Sequence, residues 1–348
     1  MTSANNADRY SEAEIQALIA HLELEQPIET PNNIGYTFYP QNLAQAGRYF
    51  RRALADWSAA YPRLVTQGML TQQADGYRLT PCGAHTAALL RRARPPIYYW
   101  YVDFYQAIQS SRAHGSLCER LFGKNLGQDG FAEIGHLATM LEALKVCAAD
   151  RVLDLGCGNG GITAYLAQAS GAHVFGIDYI PEAIHQAQQR AAHNARLAFA
   201  LGNLDALPFA PRSLDVIVAI DSLYMPNDLI ATVEQMRALL RRGGRMGLFY
   251  SFALWEDPTA GAEQLRADRT PLGTALCVND LPFQALDFTQ ADQQHALRKQ
   301  RLAEELKPAF AQEGNLFLYE VQAATAAGVI RAIAANQHVR YLYVVNAP

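Results

Sequence analysis

Cysteine is scarce here, and what there is falls in no pattern. Five residues (Cys82, Cys118, Cys147, Cys157, Cys277) are scattered over 348 positions, with no CxxC pair. That spacing excludes a disulfide framework and a zinc site, and fits reduced thiols in a cytoplasm. Charge of one sign is also lacking. A net charge of −4 offers no general attraction to nucleic acid or to an anionic membrane. Long apolar runs are missing too: none approaches the ~20 residues that span a bilayer. The opening "MTSANNADRYSEAE" has neither the basic nor the apolar region of a secretory leader. With 50% apolar and 18% charged residues the chain reads as a cytoplasmic globular protein, long enough for two domains.

Apolar spacing at three and four predicts helices over 11–24 and 42–60, separated by the proline-bearing loop "EQPIETPNNIGYTFYPQ". A helix ending at Gly68 precedes a hairpin, Met69–Gln72 and Tyr77–Thr80, turning at Asp75-Gly76, and a further helix opens after Pro81. Helix, hairpin and helix of this size resemble a winged-helix module. The helix that would enter a DNA groove, Gln41–Ala60, holds Arg48, Arg51 and Arg52, but no basic stripe continues into the wing. The expected use of residues 1–95 is therefore dimerisation or enclosure of a site, not nucleic-acid contact. Residues 96–145 read as a helical connector and lid. From Arg151 the pattern alternates as an α/β doubly wound fold does, with strands at 151–155, 173–178, 197–201, 215–220, 244–250, 283–288 and 339–345. Helices are expected at 161–170, 181–194, 228–241 and 270–280, and a helical insertion at 289–338.

The segment "RVLDLGCGNGGITAYL" turns from a buried strand into an amphipathic helix through glycines at alternate positions. Bare backbone lets a ligand lie against the chain, and a helix N-terminus offers free N–H groups. Dinucleotide folds place their glycines as G-x-G-x-x-G. Here Gly156, Gly158 and Gly160 fall as G-x-G-x-G after Asp154. With "VFGIDYI", "GNLDALPFAPRSLDVIVAIDSLYM" and "LRRGGRMGLFY" following in order, the sequence resembles the class I S-adenosylmethionine (SAM)-dependent methyltransferases over about 200 residues.

That resemblance implies a seven-stranded sheet over residues 146–348, with Tyr341–Val345 as its antiparallel edge strand and the insertion over the carboxyl ends of strands 4 and 5. It implies SAM as cofactor and no metal. Asp154, Gly156, Gly158 and Gly160 would cradle it, Asp178 would accept the ribose hydroxyls, and Tyr179 would pack on the adenosine. Asn203, standing where the family usually has aspartate, would meet the adenine edge beside Leu204. Gln128 or Glu133 would meet the methionine end. Methyl transfer discharges a sulfonium, so alignment of nucleophile, carbon and sulfur in a water-free site matters more than a strong base. Asp221, Tyr224 and His136 are the candidate acceptor-facing groups, with His114 a second histidine. The aromatic run at Tyr98, Tyr99, Trp100, Tyr101, Phe104 and Tyr105 is a candidate wall for the sulfonium by cation–π attraction, with Tyr98, Tyr101 and Tyr105 foremost. Its other reading is helix core. Asn315 and Tyr319 in "EGNLFLYE" are candidate substrate contacts. The expected protein is a homodimeric methyltransferase of secondary metabolism with a small-molecule N- or O-acceptor. Two alternatives stand beside it: a cyclase or lyase of azetidine-2-carboxylate synthase type that consumes SAM and releases methylthioadenosine, and a winged-helix regulator that senses SAM.

Overall fold

The computed structural model describes residues 9–25, 42, 50, 54–252 and 261–347. The chain divides into two compact units, one running to Asp103 and the other from Phe104 onward. The division falls inside a helix.

In the N-terminal unit α1 (Glu12–Glu25) packs with α2 (Ala60–Thr66), the hairpin β1 (Leu70–Gln73)–β2 (Gly76–Leu79) and α3 (Pro81–Ala93). The hairpin pairs Leu70 with Leu79 and Gln73 with Gly76, which moves the two-residue turn to Ala74-Asp75, one position earlier than expected. Gly76 holds φ +137°, open to glycine and costly for other residues. Thr80 caps α3 by accepting from the Gly83 amide at 2.9 Å. Tyr61 and Tyr77 stack at 4.4 Å within this unit. The helix expected at 42–60, with Arg48, Arg51 and Arg52, lies mostly outside the described residues.

The helix α4 (Pro96–Ser110) carries the chain into the second unit, where α5 (Arg112–Phe122) and α6 (Ile134–Leu144) lead to the sheet. Strands and helices then alternate: β3 (Arg151–Leu155), α7 (Gly161–Ser170), β4 (His173–Asp178), α8 (Pro181–Ala191), β5 (Leu197–Leu201), β6 (Leu214–Ile220), α9 (Leu229–Leu239) and β7 (Leu240–Phe252). After them come α10 (Pro271–Val278), β8 (Phe283–Asp287), α11 (Thr289–Gln312), α12 (Leu316–Ala334) and β9 (Val339–Asn346). The sheet order is β5-β4-β3-β6-β7-β9-β8, with β9 antiparallel to both neighbours. One apolar layer packs on each face, as a sheet covered by helices on both sides requires.

Two expectations need correction. The last strand is antiparallel but interior, and the edge position belongs to β8. The reason is burial: β9 alternates little and buries Leu342, Tyr343 and Val345 completely, whereas β8 is partly exposed at every residue. The second concerns apolar length. α12 is a 19-residue helix whose mean hydropathy of 1.3 reaches the range of a membrane span. It packs along α11 and buries Gln322 in the interior of the second unit.

Strand order reverses between β3 and β6, so the loops after those two strands face each other across a crevice, the usual ligand position in open α/β sheets.

Candidate active site

Gly156, Gly158 and Gly160 all hold left-handed backbone, at φ +72°, +54° and +75°. A Cβ on Gly158 would lie 2.5 Å from the Tyr105 hydroxyl, and one on Gly160 would lie 2.7 Å from the Phe199 ring and 2.8 Å from Ala187. A Cβ on Gly156 would run into Ser222, whose hydroxyl donates to the Leu155 carbonyl. Bare backbone is therefore demanded twice, by conformation and by close approach. Beneath the loop, buried Asp154 accepts from the Thr163 hydroxyl at 2.6 Å, and burial pushes its carboxyl up to about 7. Asp154 thus braces the first turn of α7; its carboxylate is spent on the protein.

Asp178 closes β4. Its Oδ2 accepts from the Gly158 amide and its Oδ1 from the Ile180 amide, each at 2.9 Å. Burial raises its carboxyl and those two amides oppose the rise. Each oxygen keeps a second lone pair, so two hydroxyls can still be accepted. Tyr179 follows, half-buried. Just past β5, Asn203 accepts from the Asp205 amide at 2.9 Å, and Leu204 is buried in the core. The loop that a Cβ would fill and the carboxylate with spare acceptor capacity fit a nucleoside with a vicinal diol. No group of His, Cys, Asp and Glu suited to a metal occurs among the described residues.

On the far side of the crevice stands a charged cluster. Asp221, at the end of β6, holds φ +56° and accepts from the Phe131 amide at 3.1 Å. Fully buried Arg340 reaches it through Nη1 at 2.7 Å and Nη2 at 2.9 Å, and approaches Asp292 of α11 through Nε at 3.4 Å. Burial works against the guanidinium's charge, but Asp221 and Asp292 carry its pKa above the ordinary value. His338 lies 3.2 Å from the other Asp292 oxygen. The insertion thus does pack at the carboxyl ends of β6 and β7. Asp221, proposed from sequence as a proton acceptor, is already held by a guanidinium and an amide.

The other candidates separate. Tyr224 accepts from the Ser251 amide at 2.8 Å and packs on Tyr250 at 4.8 Å. His136 takes part in the capping box of α6 with Glu133, and burial followed by Arg340 lowers its pKa, which keeps it neutral. His114 is buried and pushed down to about 4. Gln128 is buried; its Oε1 accepts from the Leu126 amide at 2.9 Å and its Nε2 has no partner. Glu133 binds His295 at 2.9 Å and Arg298, which ties α6 to α11. Of the aromatic run, Tyr105 sits against Gly158 within the second unit. Tyr98 and Tyr99 make contacts of the N-terminal unit: Tyr99 meets Phe50 at 5.4 Å, and Arg94 lies over Tyr98 at 5.6 Å. Tyr101 meets Trp100 edge-on at 4.9 Å. Tyr319 donates to Glu304 at 2.6 Å under Lys307, an exposed link between α11 and α12, and Asn315 precedes α12. Neither contact reaches the glycine loop.

Sequence reading passed over Asp129, Asp292, Lys299 and Arg340. The signal was present only in part: two of them, Asp292 and Lys299, sit in a segment whose charge reads as a solvated surface.

The sheet order, the glycine loop after β3 and the acidic end of β4 define the class I methyltransferase fold. Residues 152–244 match the family model described as a methyltransferase domain. The chain is 32% identical over 169 residues to 27-O-demethylrifamycin SV methyltransferase of Amycolatopsis mediterranei, covering 44% of this chain and 62% of that protein. It is 35% identical over 125 residues to methyltransferase GfsG of Streptomyces halstedii, 34% of this chain and 45% of that one. The chain therefore spans less than two thirds of the length of either. Among solved structures, phosphoethanolamine N-methyltransferase 2 of Haemonchus contortus, in complex with S-adenosyl-L-methionine, superposes with a TM-score of 0.54 at 17% identity, covering 71% of this chain and 60% of that one. A putative sarcosine dimethylglycine methyltransferase of Galdieria sulphuraria gives 0.52 at 14%, covering 61% and 82%. These two share the fold.

Proposed function

We propose that this protein is a cytoplasmic SAM-dependent methyltransferase acting on a small-molecule N- or O-acceptor. The observation that carries the reading is the pairing of Asp178 with the glycine loop: one carboxylate, fixed by the Gly158 and Ile180 amides, stands at the mouth of three left-handed glycines. Asp178 would hold the ribose hydroxyls, Asn203 and Leu204 would border the adenine, and the amides at the start of α7 would face the methionine end. Bound SAM would supply a methyl carbon activated by an adjacent sulfonium. The chain's own part is to position and to exclude water. Tyr105 stands over Gly158, and its π face suits a neighbouring cation. A strong base is unnecessary, which agrees with Asp221, Tyr224 and His136 being engaged by the protein.

The curated relatives' names point to acceptors of secondary metabolism and support that setting. The N-terminal unit is proposed as a dimerisation module; loss of a dimer on deleting residues 1–95, read by light scattering, is the expected result. Duplex DNA binding by that unit, falling steeply with salt, would argue for the regulator instead.

The test of activity is incubation with SAM, alone and with candidate acceptors, followed by product identification. Formation of S-adenosylhomocysteine only when an acceptor is present is expected. Methylthioadenosine from SAM alone would replace methyl transfer by cyclisation or lysis.

A further inference from the structure

Two side chains of α8 reach away from the sheet to the mouth of the glycine loop. Gln186 donates through Nε2 to the main-chain carbonyl of Tyr105 at 2.8 Å. One turn later Arg190 donates through Nε to the main-chain carbonyl of Asn159 at 2.9 Å. Tyr105 is the residue whose hydroxyl stands against Gly158, and Asn159 lies between Gly158 and Gly160. One helix therefore holds both walls of a single gap, an aromatic ring on one side and bare backbone on the other.

That helix is a firm reference. Ala183, Ile184 and Ala187 are buried, and Ala187 packs closely enough on Gly160 to leave no room for a Cβ there. Gln186 and Arg190 are four positions apart and share a face, so both donors are carried by one rigid element. Asn159 passes the hold onward. Its Oδ1 accepts from the Gly161 amide at 3.2 Å and its Nδ2 donates to the Gly127 carbonyl at 3.4 Å. Close packing usually sets the distance between neighbouring elements. Here it does not, because a cavity of about 370 Å³ opens among Ile108, His114, Asn125, Asn159, Gln186 and Arg190. With that space unfilled, the two hydrogen bonds fix the spacing.

We infer that Gln186 and Arg190 are positioning residues, a two-point brace that sets the gap between the Tyr105 ring and the glycine loop. Both act through main-chain carbonyls and not on the ligand. The inference rests on the methyltransferase reading, in which the sulfonium of SAM lies near Tyr105. The two points then have different signatures. Gln186 places a ring that attracts a positive charge, whereas Arg190 places backbone that a charged and an uncharged ligand share.

The test is calorimetric titration of the full chain with SAM and with S-adenosylhomocysteine, which lacks the methyl group and the positive charge. Gln186→Met keeps the length of the side chain and loses the donor. It should weaken SAM about fivefold and S-adenosylhomocysteine less than about twofold, within the range of a cation–π contact. Arg190→Met should weaken both ligands alike, by about fivefold, and Arg190→Lys, which keeps a donor, should recover most of that loss. In a Tyr105→Leu background Gln186→Met should add nothing, since no ring remains to be placed. Gln186 is half-buried and Arg190 exposed, so the variants should melt within about 2 °C of wild type. A Gln186→Met variant that weakens both ligands equally, or whose effect adds to that of Tyr105→Leu, overturns the brace. So do unchanged affinities in both Met variants, and in those cases wild type that binds SAM leaves the methyltransferase reading standing. Wild type that binds neither ligand removes the reading and the brace together.

Discussion

The glycine loop and the cluster around Arg340 face one crevice, and they are held by opposite means. The loop is fixed by backbone: left-handed glycines, amides donated to Asp178, a braced helix turn, and scarcely a charged side chain beyond two carboxylates. The cluster is fixed by charge: Arg340 draws together β6, α11 and β9 through residues 119 and 48 positions distant in sequence. Preorganised backbone suits a ligand that is the same in every turnover. Paired side chains can be exchanged one at a time, and suit the part of a site that varies. Each half should therefore fail in its own way.

Removing the guanidinium should do the most damage. Arg340→Leu leaves Asp221 and fully buried Asp292 uncompensated, a loss of about 3–5 kcal/mol by urea denaturation.

Breaking the loop should cost binding. Gly158→Val forces a branched residue to φ +54° and into the Tyr105 hydroxyl. Strain and overlap together should weaken S-adenosylhomocysteine by roughly 3 kcal/mol, measured by calorimetry, while secondary structure stays near wild type by circular dichroism. Normal affinity would show that the loop holds something else. Asp178→Ala comes next, at about 1.5–3 kcal/mol in SAM affinity, the scale of hydrogen bonds to a charged group. Unchanged affinity would take Asp178 off the ribose.

The smallest effect sharpens the comparison. Asp154 is pushed up to about 7 by burial, against a usual carboxyl near 4. A raised folded-state pKa gives stability that is whole below about 4 and is lost as pH rises to about 7. Asp154→Asn keeps an acceptor for Thr163 and should flatten the wild-type dependence of melting temperature across that window. An unaltered slope would place the titration elsewhere.

How much of this could be read from sequence differs between the halves for a physical reason. Backbone demands leave local marks: G-x-G-x-G after a buried strand, an aspartate ending the next, and apolar runs for strands covered on both faces all lie within a few residues of what they build. The interior place of β9 left such a mark as well. "YLYVV" is continuous where "FQALD" is mixed, and weighing that contrast would have moved the edge to β8. Charge pairing leaves none. "ADQQHALRKQRLAEEL" reads as a solvated helix face, yet Asp292, His295 and Lys299 are wholly buried because α5 and α12 close over them. The aromatic run shows a mixture: Tyr98 and Tyr99 make contacts of the N-terminal unit, while only its position against the loop distinguishes Tyr105.

The interior position of β9 also sets an order of events. The parallel strands β3 to β7 can pair as they leave the ribosome, but β8 has no neighbour in the sheet until residues 339–346 arrive between it and β7. Asp221 and Asp292 wait for the same segment, which brings Arg340. Until then a nascent chain carries an open strand edge and two unneutralised carboxylates destined for its interior. Pairing over such sequence separation is slow to form, and the incomplete sheet is the state most exposed to self-association.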